Sequence, residues 1–139
     1  MNINEPDSEL FNDSFTRCLS DARFLERFYE MFLASSDEVR HKFGNTDIQK
    51  QHRILMASLY IMMLFADGQP EGLVQLERIA VLHSKRDRDI PPHLYDLWLD
   101  CLVQAVREFD RHFTPETERV WRRMMGTGIA FMKSRYGSS

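Results

Sequence analysis

The stretch Pro91-Pro92-His93-Leu94-Tyr95-Asp96-Leu97-Trp98-Leu99-Asp100-Cys101-Leu102-Val103-Gln104-Ala105-Val106-Arg107-Glu108-Phe109 carries the plainest signal in the chain. Leu94, Leu97, Trp98, Cys101, Leu102, Ala105, Val106 and Phe109 recur at the i, i+3, i+4, i+7 spacing that puts every apolar side chain on one face of an α-helix. The two prolines before them suit a helix start, since proline is tolerated in the first turn and disfavours helix in the residue ahead of it.

The same period recurs on both sides. Thr114-Pro115-Glu116 reads as a cap, a proline at the first helical position and an acid at the positive end of the dipole. The helix it opens runs through Trp121, Met124, Met125, Gly128 and Met132 towards Tyr136, and Gly137 ends it. Upstream, Leu10, Phe11, Phe15, Cys18 and Leu19 predict a first helix broken near Ser20-Asp21, and Phe24 to Leu33 a second. A short capped turn follows at Ser36-Asp37. Asn45-Thr46-Asp47 then caps a long helix to about Ala66, which Asp67-Gly68-Gln69-Pro70 stops, and a shorter helix covers Leu73 to about Leu82. The reading is one all-α domain over residues 1–139 with about six principal helices, residues 1–6 forming a flexible lead.

Composition agrees. The chain is 139 residues long and 43% hydrophobic, with ten Phe and eight Met against six Gly and five Pro, too few turn formers for an all-β fold and too apolar for disorder. A net charge of −3 offers no basic surface for nucleic acid or an anionic membrane. Cys18 and Cys101 sit in apolar runs, as unpaired thiols do in a reducing compartment. The N-terminus lacks a signal-peptide pattern, and the longest apolar segment, Ala57 to Ala66, is about half a bilayer span. A cytoplasmic location is therefore expected.

Few residues offer chemistry. Paired-histidine zinc signatures, Cys-x-x-Cys and G-x-S-x-G are all missing, and Gly126-Thr127-Gly128 lacks a further glycine and a preceding strand, so no catalytic residue is assigned. His41 and His112 lie in polar surroundings, and His52, between Gln51 and Arg53, suits the surface or its boundary. His83 differs: it closes the apolar run Ile79-Ala80-Val81-Leu82, and Ser84-Lys85-Arg86-Asp87-Arg88-Asp89 follows at once. One imidazole at the edge of an apolar face with cations beyond it suits a metalloporphyrin, which needs an axial nitrogen, a greasy slot and positive groups for its propionates. The same pattern also suits a plain boundary histidine at the end of an amphipathic helix.

Spacing extends the reading. Phe28-Tyr29-Glu30-Met31-Phe32 precedes Glu38-Val39-Arg40 and Phe43; Gln51-His52-Arg53-Ile54-Leu55-Met56-Ala57-Ser58-Leu59 comes next; His83 stands twenty-eight positions after Leu55; and Ile90-Pro91-Pro92-His93-Leu94-Tyr95 follows. In this order the chain resembles the globin family, specifically the haem domain of flavohaemoglobins and the related single-domain bacterial haemoglobins, from about Phe11 to Tyr136. The resemblance implies a globin fold around a pocket for haem b. It makes His83 the axial metal ligand, Tyr29 the distal tyrosine, Phe43 the phenylalanine against the porphyrin, Gln51 the distal polar residue and Leu55 its neighbour beside the ligand. Ile79, Leu82, Ile90, Tyr95 and Trp98 would add the remaining wall, and Arg86, or Lys85, would meet a propionate.

Reversible binding of O2, and of NO and CO, is the function so implied, in a monomer or homodimer acting as carrier, scavenger or NO-detoxifying partner of a separate reductase. The alternative is a gas sensor or signalling module acting through a protein partner. Where flavohaemoglobins place a glutamate in the last helix, register from Trp121 puts Tyr136, which argues against fast redox chemistry.

Overall fold

The computed structural model describes residues 5–44, 47–84 and 88–137, and every regular element among them is helical. In chain order these are α1 (Glu5–Leu19), α2 (Arg23–Ala34), α3 (Asp37–Phe43), α4 (Ile48–Ala66), α5 (Pro70–His83), α6 (His93–Phe109) and α7 (Pro115–Arg135). None is long and apolar enough to cross a membrane.

Local chemistry sets the starts. The Ser36 hydroxyl accepts from the Val39 amide, the Asp47 carboxylate from the amides of Gln49 and Lys50, and Thr114 and Thr117 cap each other reciprocally ahead of Pro115. Each bond satisfies an amide that the first helical turn leaves without an internal acceptor. Gly68, at φ +76°, turns the chain between α4 and α5 in a conformation that suits glycine.

Three expectations shift. There are seven helices among the described residues rather than about six, because the capped turn at Ser36-Asp37 continues to Phe43 as α3. α5 begins at Pro70 instead of Leu73, since a proline at the first helical position costs no hydrogen bond. α1 begins at Glu5, inside the stretch read as a flexible lead.

α4 packs on α5 and α7, α2 packs on α6, and α1 lies against α6 and α7. The α4 and α5 backbones approach closely at Gly72. A Cβ there would stand 2.4 Å from the Phe65 amide nitrogen and 2.7 Å from the Leu64 carbonyl carbon, so the α4 and α5 backbones meet without side chains between them. At the other end, the buried Trp121 of α7 packs on Phe11 and Phe15 of α1, with ring centroids 4.6 and 6.0 Å away.

A buried polar chain ties that aromatic end together. Trp121 Nε1 donates to Ser14 Oγ at 2.9 Å, and Ser14 Oγ donates to Asp110 Oδ2 at 2.6 Å. Arg17 donates to the same carboxylate through Nε and Nη2, at 2.5 and 3.0 Å. Burial alone would raise the Asp110 pKa, but the Arg17 guanidinium, the Ser14 hydroxyl and the His112 amide together hold it below the ordinary 3.8. A carboxylate depressed in this way stabilises the fold fully above its unfolded pKa and loses that contribution as pH falls through its folded value. Asp110→Asn is therefore expected to lower unfolding stability by about 2 kcal/mol at neutral pH. Urea titrations should show the gap to wild type closing below pH 3.8.

Candidate functional site

A partly open cavity of about 120 Å³ lies among the helices. Helix periodicity builds its walls. Gln51, Leu55, Ser58 and Met62 follow one another along a single stripe of α4, joined by Ile54. Leu76, Ile79 and His83 form the matching stripe on α5. Tyr29 and Phe32 enter from α2, Phe43 from the end of α3, Leu94, Tyr95 and Trp98 from α6, Ile129 from α7, and Ile90 from the α5–α6 connection.

The cavity thus brings together Tyr29, Phe43, Gln51, Leu55, Ile79, His83, Ile90, Tyr95 and Trp98 of the residues singled out in the sequence. Leu82 is not among them. Its side chain is 45% exposed, because it sits about 100° around α5 from His83, facing away from the cavity. Four consecutive apolar residues circle a helix, and only those in register with His83 can share its wall. Arg86 and Lys85 lie outside the described residues. Phe32, Ile54, Ser58, Met62, Leu76, Leu94 and Ile129 complete the lining. Ser58, Met62 and Leu76 were reachable by extending the i+3/i+4 register from Leu55 and Ile79. Ile129, on a helix that carries apolar residues over a wide arc, had no such signal.

Polar groups are few. The Tyr29 hydroxyl donates to the main-chain carbonyl of Gln51 at 3.1 Å. Burial pushes the phenols of both Tyr29 and Tyr95 above their usual pKa of 10, so each keeps its proton at neutral pH and remains a donor. The half-buried His83 imidazole meets the edge of Tyr95, ring centroids 6.3 Å apart. His41 and His112 are exposed, while His52 is half-buried behind Tyr29.

The described end of the α5–α6 connection, residues 88–90, folds back on the end of α5. The amides of Arg88, Asp89 and Ile90 donate to the carbonyls of Leu82, Ser84 and His83 at 3.0, 2.9 and 3.1 Å. Asp89 takes a left-handed conformation, φ 51°, and its carboxylate accepts from the Tyr136 hydroxyl at the end of α7 and lies 4.0 Å from the Lys42 ammonium. The phenol at the position where the family resemblance leads one to look for a carboxylate is thus directed to Asp89.

The globin family model matches residues 26–132. The chain is a globin. Its structure superposes on that of PA3967 from Pseudomonas aeruginosa PAO1, described as structurally highly homologous to a human hemoglobin, with a TM-score of 0.91. The two are 41% identical over 95% of this chain and 99% of that one. No curated protein matches it.

Globin membership implies haem binding, and the donor set fits. Among the described residues no three His, Cys, Asp or Glu side chains gather to hold a bare metal ion. A single imidazole in an apolar wall suits a metal that brings its own macrocycle. The cavity volume is below the roughly 300–1,000 Å³ of typical ligand pockets, so its walls must part to admit one. Ile79→Gln, which puts an amide on the cavity wall, is expected to weaken haem uptake tenfold or more, about 1.4 kcal/mol. Leu82→Gln should leave it within twofold in the same haem titration of the haem-free protein.

Proposed function

We propose that this globin holds haem b through His83 and binds O2, and NO or CO, reversibly at its iron. The observation that carries the reading is that one imidazole on α5, His83, lines the same largely apolar cavity as a protonated tyrosine and an amide side chain, Tyr29 and Gln51. Haem, when bound, supplies an iron that takes diatomic ligands. All else is done by the chain.

His83 binds as neutral imidazole through one ring nitrogen. Leu55, Ile90 and Trp98 keep water away, which favours the ferrous metal and strengthens every polar contact inside. Tyr29 supplies a hydrogen bond to a ligand that carries partial negative charge on its outer atom. Its proton now rests on a neutral carbonyl, a bond worth about 1 kcal/mol, whereas a charged acceptor gives about 1.5–3 kcal/mol. The hydroxyl therefore turns to a polar ligand when one is present, favouring O2 over the less polar CO. Because Tyr136 donates to Asp89 at the end of α7, we place carriage or scavenging of the gas ahead of rapid turnover. Any NO consumption would draw electrons from a separate reductase.

The visible spectrum of protein reconstituted with haem tests the axial ligand. His83→Ala should abolish or strongly alter the Soret band, and an unchanged band would overturn the assignment. On the other side, Tyr29→Phe is expected to speed O2 release tenfold or more, about 1.4 kcal/mol, in stopped-flow displacement. An unaltered rate would mean that Tyr29 does not meet the ligand.

A further inference from the structure

His52 follows Gln51 on α4, and its ring lies nearly parallel to that of Tyr29, with centroids 5.4 Å and planes 26° apart. Its Nε2 is buried and has no hydrogen-bond partner among the described residues. A buried imidazole nitrogen left this way is costly, and a phenylalanine could make the same stack without it. The nitrogen therefore calls for a partner that arrives in another state of the site. The neighbouring phenol shows which. Tyr29 has one proton, given to the Gln51 carbonyl at 3.1 Å. When that proton turns into the cavity, the phenol oxygen points an in-plane lone pair to the side of α4 that the proton has left, where His52 follows Gln51.

We propose that His52 is a positioning residue for Tyr29, its Nε2–H donating to the phenol oxygen when the hydroxyl turns from the Gln51 carbonyl towards a ligand. This rests on the reading of Tyr29 as the ligand's donor. The exchange loses one hydrogen bond and gains two, and it gives the idle nitrogen its partner. A phenol that accepts from an imidazole is also a stronger donor, because hydrogen bonds in a chain polarise one another. His52 thus sets how firmly the tyrosine holds the ligand without touching it.

The test compares haem-loaded wild type, His52→Phe, His52→Gln, Tyr29→Phe and the His52→Phe/Tyr29→Phe double variant, read by the C–O stretching band of the CO complex and by the O2 release rate. His52→Phe keeps the stacked ring and removes the nitrogens. It is expected to move the band towards its position in Tyr29→Phe and to speed O2 release three- to tenfold. His52→Gln, with a donor at the side-chain end, should recover much of both, and the double variant should match Tyr29→Phe alone. In the haem-free protein, His52→Phe should melt at or above the wild-type temperature, which separates the effect from damage to the fold. A wild-type band and rate in His52→Phe, beside a clear change in Tyr29→Phe, would overturn the role of His52 alone. No change in either variant would remove the Tyr29 reading, and this inference with it.

Discussion

The backbone contact at Gly72 is the constraint from which the site follows. With no Cβ between them, the end of α4 and the start of α5 lie against each other at Phe65 and Leu64. From that point both helices extend to the cavity, α4 back to Gln51 and α5 on to His83. At about 1.5 Å per residue, the start of α4 lies roughly 25 Å away and the end of α5 roughly 16 Å away, where their axes have room to part. The residues that face each other there are Gln51 and Leu55 on one side, Ile79 and His83 on the other. The cleft is thus the open end of a hairpin that is shut at its turn.

Much of this was legible in the sequence, for reasons particular to each element. The helix from Leu94 to Phe109 declares itself because one face is buried and the other wet, so its periodicity is clean. Caps at Asp47 and Thr114 were readable because short polar side chains have one use in front of an apolar run. α3 was read too short, since a helix of two turns has little periodicity to show. Leu82 was misplaced because an unbroken run of four apolar residues does not say which of them faces inward, a choice settled by the tertiary partner of α5.

The site was legible from spacing and less so from any residue taken singly. Tyr29, Gln51 and His83 come from three helices, and only their mutual intervals join them in one dimension. The hydrogen bond from Tyr29 to the Gln51 carbonyl could not be read from spacing, because it depends on a main-chain atom whose position no side-chain pattern reports. It also explains why a tyrosine can be buried here: its hydroxyl is satisfied by a main-chain carbonyl.

The chain of Trp121, Ser14, Asp110 and Arg17 lies in the aromatic end, away from the cavity, and this separation bears on how the protein opens. Aromatic packing and a largely buried polar network tie α1, the end of α6 and α7 together. One edge of the cleft is formed instead by Phe43 at the end of the two-turn α3 and by Ile90, beside the surface contacts of Lys42, Asp89 and Tyr136. Local opening confined to that edge would need only a fraction of the free energy of global unfolding. A large planar group can then enter or leave by partial opening at one edge while the rest of the molecule stays folded.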